Sequence, residues 1–145
     1  MTGKLVGIAK AREMRVPLEQ MQSARVSVDA GIEGDARGAK LDRQVTVLFR
    51  ESWQDACREL DVTLPWTTRR ANLLVAGVPV PQQAGGRITI GNVVLEIKME
   101  TDPCWLMEQS HAGLKAALTP EWRGGVCCKV LSGGDIRIGD TVSLD

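Results

Sequence analysis

Strand-type patterning dominates this chain, with apolar and polar positions alternating in short runs punctuated by glycine. The clearest run spans Arg87 to Met99. Ile88 and Ile90 alternate with polar residues, Gly91-Asn92 supplies a two-residue turn, and Val93, Leu95, Ile97 and Met99 share one face of the return strand. The signature recurs near the C-terminus, where Gly134-Asp135-Ile136-Arg137-Ile138-Gly139-Asp140-Thr141-Val142 repeats Gly86–Val94 as G-x-I-x-I-G-[N/D]-x-V. It predicts a second hairpin over Ile136–Leu144. Shorter strands are expected at Lys4–Ala9, Arg25–Ala30, Gln44–Leu48 and Asn72–Val75, with Gly31-Ile32-Glu33-Gly34-Asp35 forming a tight loop. Two copies are too few for a solenoid. The expected fold is mostly β, a closed or nearly closed barrel containing both hairpins and carrying a few short peripheral helices.

Helical periodicity is confined to three places. Over Glu51–Leu60, residues Trp53, Ala56, Cys57 and Leu60 fall on one apolar face, and Ser52 with Asp55 fits a capping box. A second helix is expected to start near Pro103, and a third covers Gly113–Leu118.

Composition narrows the class. The 145 residues read as one domain, 1–145, with 43% apolar and 25% charged residues, and eighteen basic residues balance eighteen acidic ones. That balance argues against a general nucleic-acid or membrane-surface binder. Met1–Ile8 shows no export signal and no run suits a membrane span, so the expected location is cytoplasmic, with Cys57, Cys104, Cys127 and Cys128 as reduced thiols. Without a C-x-x-C, and with His111 as the only histidine, no structural metal site is expected.

Candidate chemistry centres on Asp102-Pro103-Cys104-Trp105. Asp102 is a good N-cap and Pro103 suits the first helical position. Cys104 then falls at the second, where unpaired N–H groups favour a thiolate and the Asp102 carboxylate opposes it. A buried structural cysteine is the competing reading. Arg69-Arg70-Ala71-Asn72 stands at a strand entrance, where guanidinium groups can grip a phosphate or carboxylate, or simply face solvent. Arg123-Gly124-Gly125 reads either as an anion-binding backbone turn or as a plain turn. Arg37 and Arg43 are ambiguous in the same way. Cys57 and Cys128 read as core, whereas Cys127 points to the opposite face and is either exposed or turned toward a site.

Together these segments resemble the MOSC family, named for the C-terminal domain of molybdenum cofactor sulfurases. The pieces appear in order: Gly31–Asp35 as the G-x-x-G-D loop, Arg43-Gln44-Val45 as the strand start, Arg70-Ala71-Asn72-Leu73-Leu74 with its Asn-Leu pair, Pro103-Cys104, and the closing hairpin within Gly125–Leu144. The resemblance implies a β-barrel in which Cys104 carries sulfur or ligates molybdenum. Arg69, Arg70, Asn72 and Arg123-Gly124-Gly125 are then the candidate contacts to molybdopterin. No pyridoxal phosphate is expected, because this chain has no lyase domain. Many stand-alone members carry a histidine just after the G-D loop, where this chain has Ala36-Arg37, so that role is not transferred. Three functions follow: a molybdenum-cofactor oxidoreductase reducing N-hydroxylated small molecules with a separate electron donor protein; a carrier that holds a persulfide on Cys104 and takes sulfur from a donor protein; or a non-catalytic pterin or anion module. An enzyme of the first kind needs a deep pocket with several anion donors. A carrier needs an exposed Cys104 on a flat docking surface.

Overall fold

The computed structural model describes residues 1–39 and 42–145. Its strands are β1 (Thr2–Lys10), β2 (Glu19–Gln20), β3 (Ser23–Ser27), β4 (Gly31–Ile32), β5 (Val45–Phe49), β6 (Leu73–Ala76), β7 (Arg87–Ile90), β8 (Val93–Glu100), β9 (Val126–Ser132), β10 (Gly134–Arg137) and β11 (Thr141–Leu144). Helices α1 (Arg50–Glu59), α2 (Trp105–Ser110) and α3 (Leu114–Leu118) are joined by 3-10 turns at Trp66–Arg69 and Pro120–Trp122. In the order β11-β7-β8-β9-β5-β6-β1, hydrogen-bonded neighbours run around a ring that the β1–β11 pairing closes into a barrel. Closure leaves no long edge exposed. All the barrel pairings are antiparallel except β5–β6, and α1 makes the crossover that a parallel pair requires.

The period-two pattern is explained by what covers each face. In β8, Val93, Leu95 and Ile97 point into the barrel while the residues between them remain half exposed. Strand β5 is apolar almost throughout because both of its faces are covered: Val45, Val47 and Phe49 enter the barrel core, and Leu48 packs beneath the helices. The second core joins Leu48 and Leu74 of the barrel wall to Trp53, Ala56 and Cys57 of α1, Met107 of α2 and Leu114 and Leu118 of α3. Each fully buried leucine or methionine among them is worth about 1.5–3 kcal/mol. The helices are thereby fixed to one side of the barrel. Among the described residues no helix is long and apolar enough to cross a membrane.

Three local expectations are corrected. The second G-x-I-x-I-G repeat is not a hairpin within the barrel. Both edges of β11 are occupied, by β7 and β1, so β10 pairs instead with β3 in a separate three-stranded sheet with β4. Val26, Ile32 and Ile136 of that sheet still pack on the barrel core. The Ser52–Asp55 capping box does not form, because α1 starts directly from the end of β5 with Phe49 as its cap, and Asp55 pairs with Arg58 instead. Helix α2 starts at Trp105, later than Asp102 and Pro103 suggest. Thr101 is held by its N–H on the Gly125 carbonyl and by Arg69 on its own carbonyl, which keeps the chain extended past the end of β8.

Candidate functional site

Two clefts meet at Cys104. The narrower, about 250 Å³, is lined by Arg37, Arg43, Arg69 and Arg70 together with Met14, Thr46, Thr101, Met107 and Gly124. The wider, about 950 Å³, runs along α2 past Trp105 and is bordered by Arg15, Arg70, Thr67 and Gln109. Among the described residues neither is lined by an aspartate, a glutamate or a histidine.

The turn before β6 builds the narrow cleft. Trp66 packs against β1 at Gly7, where an added Cβ would come within 2.7 Å of the indole ring. From there the chain winds through one 3-10 turn and stops at Arg70, whose φ of 64° is left-handed and whose N–H donates to the Thr67 carbonyl. Arg69 therefore points inward and Arg70 toward the cleft. Arg69 is only 7% exposed; its Nε donates to the Gly124 carbonyl at 3.0 Å and its Nη2 to the Thr101 carbonyl at 2.7 Å. Gly124 makes room for this, since a Cβ there would lie 2.6 Å from the Thr101 oxygen and 3.0 Å from Arg69 Nη2. Arg69 Nη1 has no hydrogen-bond partner among the described residues, and no carboxylate pairs with the guanidinium.

Burial lowers the Arg69 pKa, opposed by the nearby Cys104 and Cys127 sulfurs and by Asp102, and reinforced by Arg43. Burial also lowers that of Arg70, with Arg37 adding to the effect and Asp35 opposing it. Both stay charged, because guanidinium does not lose its proton in proteins. Glu100, beyond Arg69, is pushed upward by burial and by the neighbouring Asp102 carboxyl. The arginines also differ in how they are used. Arg12, Arg25, Arg37, Arg50, Arg58 and Arg123 are ion-paired. Among the described residues Arg15, Arg43, Arg69, Arg70, Arg87 and Arg137 are not, and the first four of these border the clefts at Cys104. The molecule has no net charge, yet it places four arginines without ion pairs among the described residues at this one thiol.

Cys104 is exposed and occupies the residue just before α2, with extended backbone; its carbonyl accepts from Met107 N–H at 2.9 Å. Trp105 beside it is 66% exposed and Leu106 42%. The other three thiols are buried. Cys57 lies in the helix–barrel core and Cys128 in the barrel, where burial and the adjacent Cys127 push its thiol pKa well above the usual value. Cys127, for which the sequence allows either an exposed or a site-facing side chain, is neither free in solvent nor in the cleft lining. It is fully covered, with its sulfur 3.2 Å from Thr101 Oγ1. In the native protein, limited alkylation near neutral pH should therefore modify Cys104 first and the other thiols only on unfolding. Peptide mass mapping reads this directly, and early labelling of Cys127 would contradict it.

The remaining candidates divide. Arg69, Arg70 and Gly124 line the Cys104 cleft. Asn72 does not, because its amide braces the barrel: Oδ1 accepts from Thr46 N–H at 3.0 Å and Nδ2 donates to the Ala9 carbonyl at 3.2 Å. Arg123 is also absent from the lining. It is drawn to α1 and α3 by Glu59 at 2.6 Å and the Ala117 carbonyl at 3.0 Å. Gly125 cannot offer its N–H to an anion, since that group is bonded to the Trp122 carbonyl. Its φ of +97°, and a Cβ position 2.2 Å from the Val47 oxygen, make it a backbone requirement of the barrel. Arg37 and Arg43 join the site from the G-D loop and from the segment leading to β5. Asp35, fully buried, accepts from Ala11 N–H at 2.8 Å and pairs with Arg37 at 3.1 Å, and Arg37 Nη1 donates to the Arg70 carbonyl. The signal for Arg37 lay in the sequence, two residues beyond that aspartate.

The fold is thus a closed barrel with an exposed thiol between arginine-lined clefts. The chain belongs to the MOSC domain family, whose sequence profile matches residues 33–143. Its fold is similar to that of the YUAD protein of Bacillus subtilis, with a TM-score of 0.81, 22% identity, and coverage of 99% of this chain and 96% of that one. It is also similar to YiiM of Escherichia coli, at 0.73 and 16% identity over 100% of this chain and 70% of that one. For YiiM of Geobacillus stearothermophilus the values are 0.71 and 17% over 99% and 73%. No curated protein matches the sequence.

Proposed function

We propose that the clefts at Cys104 bind the phosphate-bearing pterin of the molybdenum cofactor, and that the protein is an oxidoreductase for N-hydroxylated small molecules. The observation that carries this reading is the grouping of four unpaired arginines, one of them buried, around the chain's exposed thiol. A buried guanidinium without a carboxylate is costly unless an anion completes it, and bidentate arginine contacts suit phosphate. The narrow cleft alone is below the usual size of a cofactor site, but the wider groove continues from it past Cys104. Arg69, Arg43 and Arg70 would hold the phosphate, Cys104 would be the soft thiolate ligand, and Trp105 would offer a flat apolar wall to the pterin. When bound, the cofactor would supply the two-electron chemistry. Arg69 is held by two carbonyls, so its charge is already oriented before an anion arrives.

The test is molybdenum and pterin analysis of protein expressed in cells that make molybdopterin. Near-stoichiometric metal is expected in the native protein, with loss in Cys104→Ser and depletion in Arg43→Ala/Arg70→Ala. Metal content at background in the native protein would refute the reading. The exposure of Cys104 supports a second one, a persulfide carrier, for which the same preparations would show an added sulfur atom in the intact mass and no molybdenum.

A further inference from the structure

We infer that Cys104 can take sulfane sulfur from a small anionic donor of the thiosulfate class, with the arginine cleft receiving the departing sulfite. This rests on reading the cleft as an anion site, though not on the molybdenum cofactor. The thiol is exposed, so an electrophile can reach it. Arg69, more than nine-tenths buried, has no ion-pair partner, and its Nη1 is left without a hydrogen bond at the wall of the same cleft. A nucleophile beside uncompensated positive charge suits a substrate that arrives, and leaves, as an anion.

The composition of the walls narrows the class further. Among the described residues no carboxylate or imidazole lines either cleft, and guanidinium cannot protonate a leaving amine or alkoxide. Such walls favour a leaving group that departs without a proton. Thiol exchange is fastest when the departing group is a weak base, and sulfite is one. The narrow cleft, at about 250 Å³, also suits a small dianion. In the step, the Cys104 thiolate donates its electron pair to the outer sulfur of thiosulfate and a new S–S bond forms. The donor's own S–S bond breaks and its pair leaves with sulfite. Three negative charges enter and three remain, on the Cys104 persulfide and the sulfite, so no outside oxidant or proton is needed.

The test uses the reduced, full-length protein with thiosulfate alone. One sulfur atom should be added per chain, mapped to Cys104, with one equivalent of sulfite released, and none of this in Cys104→Ser. Iodoacetamide, a neutral electrophile, provides the reference for thiol access. In Arg43→Ala/Arg70→Ala the thiosulfate rate, divided by the iodoacetamide rate, should fall about tenfold or more, the size expected for lost charged hydrogen bonds. The same ratio should fall with added salt for the native protein. Absence of the mass increase, sulfur on another cysteine, or an unchanged ratio in the arginine variant would each overturn the inference. Molybdenum loading is measured separately: loading without sulfur transfer defeats this inference alone, and transfer without loading defeats only the cofactor reading.

Discussion

Replacing Arg69 with alanine should weaken phosphate binding at the Cys104 cleft about tenfold or more and lower stability by about 1–3 kcal/mol. The two effects have different origins. Affinity falls because Arg69 carries a charge that no carboxylate neutralises, so the cleft's pull on an anion depends on it. Stability falls because the Gly124 and Thr101 carbonyls lose their donors, and these bonds tie the end of β8 and the start of β9 to the turn before β6. Part of the loss is offset, since removing a buried charge relieves its desolvation. Arg69→Lys separates the two: an ammonium keeps the charge but cannot reproduce the planar fork that spans two carbonyls. It should recover part of the affinity and little of the stability. Calorimetric titration with inorganic phosphate and urea unfolding give the two readings. Phosphate affinity unchanged in Arg69→Ala would show that the cleft is not an anion site.

Asn72→Ala should be the more destabilising change, costing roughly 2–4 kcal/mol through buried polar groups left without partners. At 2% exposed, Asn72 links three strands. Its Oδ1 takes the Thr46 N–H of β5, its Nδ2 reaches the Ala9 carbonyl of β1, and its backbone exchanges bonds with both neighbours just before β6 begins. Truncation leaves a buried N–H and a buried carbonyl that water reaches poorly. Asn72→Asp would keep the acceptor but lose the donor and bury a charge, so it should do no better. Urea unfolding checks both variants. Because Arg69, Arg70 and Ala71 lead directly into this brace, phosphate affinity should fall as well, though less than in Arg69→Ala. A loss of affinity with no loss of stability would instead mean that Asn72 contacts the ligand.

Legibility in the sequence followed the range of the forces involved. Alternation in Arg87–Met99 marked a real hairpin, because period-two burial is local and each residue's face is set by its neighbours. The same alternation in Gly134–Val142 marked two strands that never pair with each other. A repeat signals strand-forming residues, and the partner is chosen by which edges remain free once the barrel closes. Cys104 could be picked out from the residues around it, but whether it was exposed could not. The arginines show the limit most clearly. Arg69, Arg70 and Arg123 looked equivalent as basic residues next to turns, yet Glu59 draws Arg123 away while Arg37 and Arg43 come in from a distant loop.

By itself, then, the sequence determined a strand-rich β-barrel, the helical stretches beside it, the buried roles of Cys57 and Cys128, and the family to which the Pro-Cys and G-D segments point. These depend on periodicity, turn chemistry and short motifs, all written within a few residues. Tertiary structure alone decided that Cys127 is covered, that Asn72 braces three strands, and that Gly124 makes way for a buried guanidinium. It also decided that Arg15, Arg43, Arg69 and Arg70 gather at the exposed thiol. Charge pairing and burial depend on which segments meet across the barrel, and residues as far apart as Arg37 and Gly124 become neighbours only when the ring of strands is closed.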